Sequence, residues 1–253
     1  MTRSKPDAQR ADVALVERGL APSRARAHAM ILEGLVRSGD RRVEKAGELI
    51  GLDAPLSVSG PDHPFVGRGG IKLAAALDAF AVDPRGLVCL DVGASTGGFT
   101  DCLLQRGAAR VWAVDVGYGQ LAWSLRTDPR VRLLERANIR TLPRESIPDA
   151  IDLAVIDVSF ISLRLVLPRM TEFVRPGGRV IALIKPQFEV GRGLVGRGGV
   201  VRDSALRERA ARDVTAAAEA MGLRVIGVVA SPIEGRDGNQ EYLVGLTVGD
   251  SPA

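Results

Sequence analysis

Cysteine and histidine are scarce in this 253-residue chain, which holds two of each. The cysteines, Cys89 and Cys102, fall in a predicted strand and a predicted helix. They read as small core residues of a reducing compartment rather than as a disulfide. His28 lies in a predicted helix and His63 beside a proline, so neither reads as catalytic, and no metal-ligand spacing exists; no metal is expected. No run of 18 apolar residues occurs, which excludes a membrane-spanning helix. Met1 to Arg10 lacks the apolar core of a secretory signal, so the expected location is cytoplasmic. Aromatics make up only 4% of the chain, too few for a membrane-inserting face. What is plentiful is apolar residue, 46%, enough for a sizeable core, and the net charge of +4 permits a nucleic-acid partner without requiring one.

One stretch organises the chain: Leu90-Asp91-Val92-Gly93-Ala94-Ser95-Thr96-Gly97-Gly98-Phe99-Thr100. The apolar run Gly86 to Leu90 leads into it and a helical pattern from Phe99 to Gln105 leads out, so it reads as strand, glycine turn and helix start. Glycines allow close approach of a ligand, and the helix start offers unpaired N–H groups. The spacing Gly-x-x-x-Gly-Gly differs from the Gly-x-Gly-x-x-Gly of dinucleotide folds, which disfavours a nicotinamide-dependent oxidoreductase. A second strand, Arg110 to Val114, ends on Asp115, where an acid suits ribose hydroxyls. The layout resembles the S-adenosylmethionine (SAM) site of Rossmann-like methyltransferases. The plainer alternative is a strand–helix turn with no ligand, but two acids and three glycines stand where a nucleoside ligand needs them.

The first sixty residues read differently. Residues 1–9 are polar and expected to be disordered. Arg10 to Arg18 reads as a short helix with Val13, Leu15 and Val16 inward. Ser23 caps a second helix, Arg24 to Glu33, with Ala27, Met30 and Ile31 on its apolar side and Gly34 as its stop. Val36 and Val43 flank a hairpin turn at Ser38-Gly39-Asp40, and Leu49-Ile50 and Leu56 to Val58 read as short extended pieces. Arg24 and Arg26 sit in a first helical turn, where the macrodipole disfavours cations, as when they serve a ligand. Ten Lys/Arg face eight Asp/Glu over this span, so charge alone gives weak support for RNA. Asp12, Leu15, Gly19-Leu20-Ala21, Ser23-Arg24, Ala27, Ile31, Gly34, Val36, Lys45 and Gly47 together resemble the small RNA-binding domain named after a small-subunit ribosomal protein. That resemblance implies phosphate contacts from Arg18, Arg24, Arg26, Arg37 and Arg42. The chain departs from it at Arg37-Ser38-Gly39-Asp40, where the family has an apolar residue and Asn-Gly.

A Pro/Gly-rich linker, 59–66, separates this domain (10–58) from a larger one (67–253). Gly69 and Gly70 precede a helix carrying Lys72 in its first turn. Beyond the glycine turn, strands and helices alternate: a helix at Gln120–Arg126, a strand at Val131–Leu134, a strand at Asp152–Asp157, a helix at Leu163–Val174 stopped by Pro176-Gly177-Gly178, a strand at Arg179–Ile184, a Gly-rich loop Gly191–Gly199, and a helix at about Asp203–Met221. Strands Arg224–Ala230 and Glu241–Thr247 form an antiparallel edge hairpin. The expected fold class is α/β, a Rossmann-like SAM-dependent methyltransferase sheet with a small N-terminal α+β RNA-binding domain. In such a sheet ligands bind at the carboxyl ends of the strands, where Asp91, Asp115, Asp157 and Lys185 all fall. Taken alone, Asp157 with Lys185 serves equally as a structural salt bridge or as an acid–base pair.

Six motifs run in order along nearly the whole chain: Val66-Gly67-Arg68-Gly69-Gly70-Ile71-Lys72-Leu73; Leu90 to Thr100; Asp115-Val116-Gly117-Tyr118-Gly119-Gln120-Leu121; Asp157-Val158-Ser159-Phe160-Ile161-Ser162-Leu163; Lys185-Pro186-Gln187-Phe188-Glu189; and Gly238-Asn239-Gln240-Glu241-Tyr242. In these the chain resembles the hemolysin A (TlyA) family of ribosomal RNA 2′-O-methyltransferases, whose catalytic domain is related to the FtsJ-type enzymes; members usually have Ser in place of Gly67. The resemblance implies SAM-dependent 2′-O-methylation of cytidine in ribosomal RNA, with a ribosomal subunit as partner, and a Lys-Asp-Lys-Glu tetrad at Lys72, Asp157, Lys185 and Glu241. It implies a SAM site of Asp91, Gly93, Ala94, Ser95, Gly97, Gly98, Phe99, Asp115, Asn138 and Asp157. Arg68 joins the RNA-contact candidates. The chain ends six residues after Thr247, like the short members that act on the large subunit, and a monomer is expected. Two other classes stand beside this reading: a cytolysin, as the family's name implies, and a non-catalytic RNA-binding assembly factor.

Overall fold

Capping and apolar spacing place the N-terminal elements. In the computed structural model, which describes residues 8–59, 63–235 and 237–249, the chain divides into two compact units, Met1–Gly67 and Arg68–Ala253. The first contains β1 (Ala8–Arg10), α1 (Ala11–Glu17), α2 (Arg24–Glu33), β2 (Val36–Ser38), β3 (Arg41–Arg42), β4 (Leu49–Gly51) and β5 (Leu56–Val58). Residues 1–7 of the expected disordered start, and 60–62 of the expected linker, lie outside the described residues. Ala8 and Gln9, expected in that start, instead pair antiparallel with Gly51 and Ile50.

The Ser23 side chain accepts from Arg26 N at 3.2 Å, and Gly34 closes α2 in the left-handed region with φ 78°. The hairpin turn forms as expected, with Ser38 opposite Arg41. Ala11, Leu15, Ala27, Met30, Ile31, Val36, Val43 and Ile50 make the core. Val13 was expected inward and is only half-buried. Ala11, Ala14 and Leu15 take the inner face of α1, because three- and four-residue steps from Ala11 reach them and miss Val13.

The second unit is built on strands apolar on both faces, which only a helix-covered sheet can bury. Its elements are α3 (Gly69–Ala79), β6 (Val88–Val92), α4 (Gly98–Gln105), β7 (Arg110–Asp115), α5 (Trp123–Arg126), β8 (Val131–Glu135), β9 (Ile151–Ile156), α6 (Leu167–Phe173), β10 (Val174–Ile184), α7 (Pro186–Glu189), α8 (Ser204–Ala220), β11 (Leu223–Ala230) and β12 (Tyr242–Val248). The sheet runs β11-β12-β10-β9-β6-β7-β8. β10, β9, β6, β7 and β8 are parallel to their neighbours in this row, whereas β12 lies antiparallel between β10 and β11. The expected edge hairpin is therefore a pair whose second strand is internal. Leu90, Ala154, Ile156, Leu167, Phe173, Val180, Ala182 and Val244 are among the residues of the main core.

Three elements differ from expectation. The helix expected over Leu163–Val174 splits into a 3-10 turn, Leu163–Leu165, and α6, with Pro168 in the first turn of α6. Proline lacks the N–H a helix interior needs, so the helix starts there. Val174 opens β10, and the Pro-Gly-Gly segment is an irregularity within that strand, between Val174 and Arg179. The helix expected from Gln120 shrinks to the single turn α5, because the preceding loop is tied by Gly119 N to the Glu135 carboxylate, 2.7 Å.

Candidate active site

The chain leaves β6 toward β7 and β8, then crosses back to β9 and β10, so a crevice opens where β6 and β9 end. Gly93 lies there with φ 88°. A Cβ on it would run into the Asp157 carbonyl, so only glycine lets the two strand ends close together. Gly97 caps α4 with φ 102°, and a Cβ there would strike Leu121 and Leu125. Ser95 is held at φ 49°, an uncommon place for a non-glycine residue. The three N–H groups that open α4 follow directly.

Asp91 is fully buried beneath this turn. Its Oδ2 accepts from Thr100 Oγ1 at 2.7 Å, while Oδ1 has no hydrogen-bond partner among the described residues. Burial, reinforced by the nearby Asp157 charge and only partly offset by the Thr100 hydrogen bond, pushes its carboxyl up to about 7. Asp115 ends β7 and accepts from Ser95 N at 2.7 Å and from Gly117 N at 2.6 Å. A carboxylate offers about four acceptor sites, so roughly two stay open. Asn138 is exposed beside it: Ala137 N donates to Asp115 O, 2.9 Å, and Asn138 Oδ1 accepts from Arg140 N, 3.1 Å.

Lys72, Asp157, Lys185 and Glu241 come from α3, the end of β9, the end of β10 and the start of β12, and they meet as two ion pairs. Lys72 Nζ pairs with Glu241, and the two residues are 8% and 2% exposed. Lys185 Nζ lies 2.6 Å from Asp157 Oδ1 and donates to Ser159 Oγ at 2.9 Å. Burial alone would raise the Asp157 carboxyl. The charges of Lys185 and Lys72, with the Lys185 hydrogen bond, outweigh it and hold the group below the ordinary carboxylate range. Phe160, three residues beyond Asp157, is 90% exposed at φ 65° and lies against Phe188 at 5.2 Å between ring centroids. Tyr118 is likewise exposed, with the Arg136 guanidinium 4.4 Å over its ring. Aromatic faces left in water beside a polar site suit flat ligands such as bases.

The arginines expected to contact phosphate divide by their partners. Arg18 donates to the carbonyls of Ala54, Gly51 and Leu52, at 2.6, 3.1 and 2.6 Å, which makes it a clamp within the first unit. Arg24 pairs with buried Asp12 at 2.8 Å, together with Arg10 at 2.9 Å. That explains a cation in a first helical turn without a ligand. Arg37 donates to Asp40 O at 2.8 Å, and Arg68 to Glu234 O at 3.1 Å. Arg26 is half-buried and Arg42 packs over Gly34.

Sequence reasoning passed over several residues that shape the site. Thr100 holds Asp91. Glu135 binds Gly119 N and, through two 2.7 Å bonds, Arg126, fixing the Tyr118 loop. Ser159, Ser162 and Glu189 were quoted only within motifs. Among the described residues no group of three or more His, Cys, Asp or Glu side chains could hold a metal ion.

Residues 65–248 match the FtsJ-like methyltransferase family, and residues 9–54 match the S4 domain. The chain is 50% identical to the 16S/23S rRNA (cytidine-2′-O)-methyltransferase TlyA of Mycobacterium tuberculosis over 94% of its own length and 89% of the relative's. It is 38% identical to Hemolysin A of Brachyspira hyodysenteriae over 89% of its length and 94% of that protein. The solved structure of a hemolysin-like protein from Streptococcus thermophilus has a TM-score of 0.76 at 43% identity, covering 98% of this chain and 91% of that one.

Proposed function

The chain belongs to the FtsJ-like methyltransferase family, among the hemolysin A and TlyA proteins, and we propose that it methylates the 2′-hydroxyl of a cytidine in ribosomal RNA of the large subunit. The observation that carries this reading is the pair of ion pairs, Lys72–Glu241 and Lys185–Asp157, gathered at the strand ends beside the glycine turn.

The residues of that turn fit SAM. Asp91 presents a buried oxygen with no hydrogen-bond partner among the described residues, which suits a ligand ammonium. Asp115 keeps acceptor sites for two ribose hydroxyls. In the proposed site Asp91, Gly93, Ala94, Ser95, Gly97, Gly98 and Phe99 hold the methionine part, with Asp157 closing that side; Asp115 binds the ribose and Asn138 lies by the adenine. Bound SAM supplies a methyl group on a sulfonium, already an activated donor, so what remains for the protein is largely positioning and proton removal.

Lys185 Nζ, once it has released its own ammonium proton to solvent, takes the proton of the ribose 2′-hydroxyl when that oxygen gains the methyl group SAM would supply, with S-adenosylhomocysteine as the departing product. Asp157, held ionised at neutral pH, balances the ammonium that forms. Ser159 Oγ gives Nζ a second fixed partner. Glu241 neutralises Lys72, so this second lysine stays in the site, buried and still biasing Asp157 toward its charged form. The faces of Phe160 and Tyr118 take the flipped-out base or its neighbour by stacking.

Residues 10–58 form the RNA-gripping domain and 67–253 the catalytic one, joined by 59–66. Arg24, Arg26, Arg37, Arg42 and Arg68 contact phosphates. Arg18 stands outside that set, given its three internal carbonyls. The protein works as a cytoplasmic monomer. None of the described helices is long and apolar enough to cross a membrane, and no feature of the site favours the cytolysin reading. The test is nucleoside mass spectrometry of large-subunit RNA from a strain lacking the enzyme, treated with protein and SAM. The expected product is 2′-O-methylcytidine; a base-methylated nucleoside would overturn the assignment.

A further inference from the structure

The segment Asp157–Leu163 leaves β9 and runs past α7. Two residues at opposite ends of that single helical turn grip it. At one end Lys185 holds Asp157 at 2.6 Å and Ser159 Oγ at 2.9 Å. At the other, Glu189 accepts from Ser162 Oγ at 2.6 Å and from Leu163 N at 2.8 Å. Between the two grips Phe188 lies against Phe160. Glu189 has only 2% of its side chain exposed. Burial raises its carboxyl above the ordinary range despite the Ser162 and Leu163 hydrogen bonds. A buried carboxylate that answers two donors on a neighbouring loop fixes that loop's place, because moving it strands the acid without partners.

The loop needs fixing. Phe160 sits at φ 65° with its ring in water, a strained conformation that persists only where its surroundings over-determine it. We propose that Glu189 is a positioning residue: through Ser162 and Leu163 it holds the Asp157–Leu163 loop so that Asp157 and Ser159 orient the Lys185 amine and Phe160 stays presented to the acceptor nucleotide. This rests on the reading of Lys185 as the proton acceptor. Glu189 touches neither substrate nor donor; it acts through the loop.

The half-exposed Arg164 guanidinium also lies 3.6 Å from Glu189 Oε2, and the test separates the two hydrogen bonds from this charge. Glutamine in place of Glu189 keeps one acceptor for Leu163 N and can donate to Ser162 Oγ, so the grip survives; alanine removes it. Ser162→Thr keeps the hydroxyl and Ser162→Ala does not. Steady-state methyl transfer to large ribosomal subunits is measured for all four, with SAM binding by calorimetry and Lys185→Ala alongside. The expected result is a kcat lowered about tenfold or more in Glu189→Ala and severalfold in Ser162→Ala. Glu189→Gln and Ser162→Thr should stay within about threefold of the unaltered protein, and SAM affinity should be unchanged in all. If Glu189→Ala fails to fold, the two Ser162 variants decide. Full kcat in Ser162→Ala, or an equal loss in Ser162→Thr, would overturn the proposal. So would a loss seen wholly in SAM affinity. An active Lys185→Ala would instead overturn the reading of the site on which the proposal rests.

Discussion

Removing either partner of the Lys72–Glu241 pair should destabilise the catalytic unit far more than removing both. Lys72 is 8% exposed and Glu241 2%, so neither charge can find water when the other is gone. Breaking a buried pair by deleting one partner costs roughly 3–5 kcal/mol, whereas replacing both by apolar residues of similar volume is often neutral or better. Against a total stability of about 5–15 kcal/mol, the single loss is large. Lys72→Met and Glu241→Leu should each lower the unfolding free energy by about 3 kcal/mol or more, and the double variant should recover most of it. The chain's two tryptophans, Trp112 and Trp123, both lie in the catalytic unit. Urea unfolding followed by their fluorescence therefore reports that unit alone. All three variants should be inactive in methyl transfer, separating a stable fold from a working site. Single variants that cost less than about 1 kcal/mol, or a double variant no more stable than the worse single, would refute the claim that the pair is buried and mutually dependent.

Asp91 gives a pH prediction. Its carboxyl stands at about 7 when folded, above the ordinary value near 4. The folded state therefore binds a proton that the unfolded state has released, so the Asp91 contribution to stability is fully present below pH ~4 and falls by roughly 1.4 kcal/mol per pH unit as pH rises from there toward 7. Unfolding without SAM should show that slope in the native protein and a flatter one in Asp91→Asn. Gly93→Ala, forced into positive φ against the Asp157 carbonyl, should abolish SAM binding by calorimetry and cost at least ~1–3 kcal/mol of stability. Arg18→Ala should lower the stability of the first unit by about 1–3 kcal/mol, the cost of unpaired carbonyls, and leave the salt dependence of RNA binding unchanged. Arg26→Ala should reduce the salt slope of RNA binding by about one.

Much of the catalytic unit was legible because its signals are local. Asp91, Asp115, Asp157 and Lys185 each close an apolar run, so the sequence alone sends them to one edge of a parallel sheet. The second helix of the first unit carries its own caps, Ser23 and Gly34. What escaped was set by distant partners or by a single breaker. Pro168, read as part of a helix, starts one instead. The insertion of β12 between β10 and β11 depends on pairing across the sheet, which no local pattern encodes. In the site, the meeting of Lys72 with Glu241 spans most of the catalytic unit and came only from family resemblance. Arg18 and Arg24 looked like free cations because their partners, the Gly51–Ala54 carbonyls and Asp12, lie on other elements. Glu189 looked like one more acid of a motif until Ser162 and Leu163 were seen to share it.

The central claim is that Lys185 and its neighbours move a methyl group onto ribosomal RNA. It is tested most directly by transfer from labelled SAM to separated ribosomal subunits of a strain lacking the enzyme, with Lys185→Ala as control. The expected result is label in large-subunit RNA that disappears in the variant. Label in both subunits would keep the chemistry and contradict the large-subunit assignment. SAM binding without label in either subunit, or label that persists in Lys185→Ala, would contradict the claim itself.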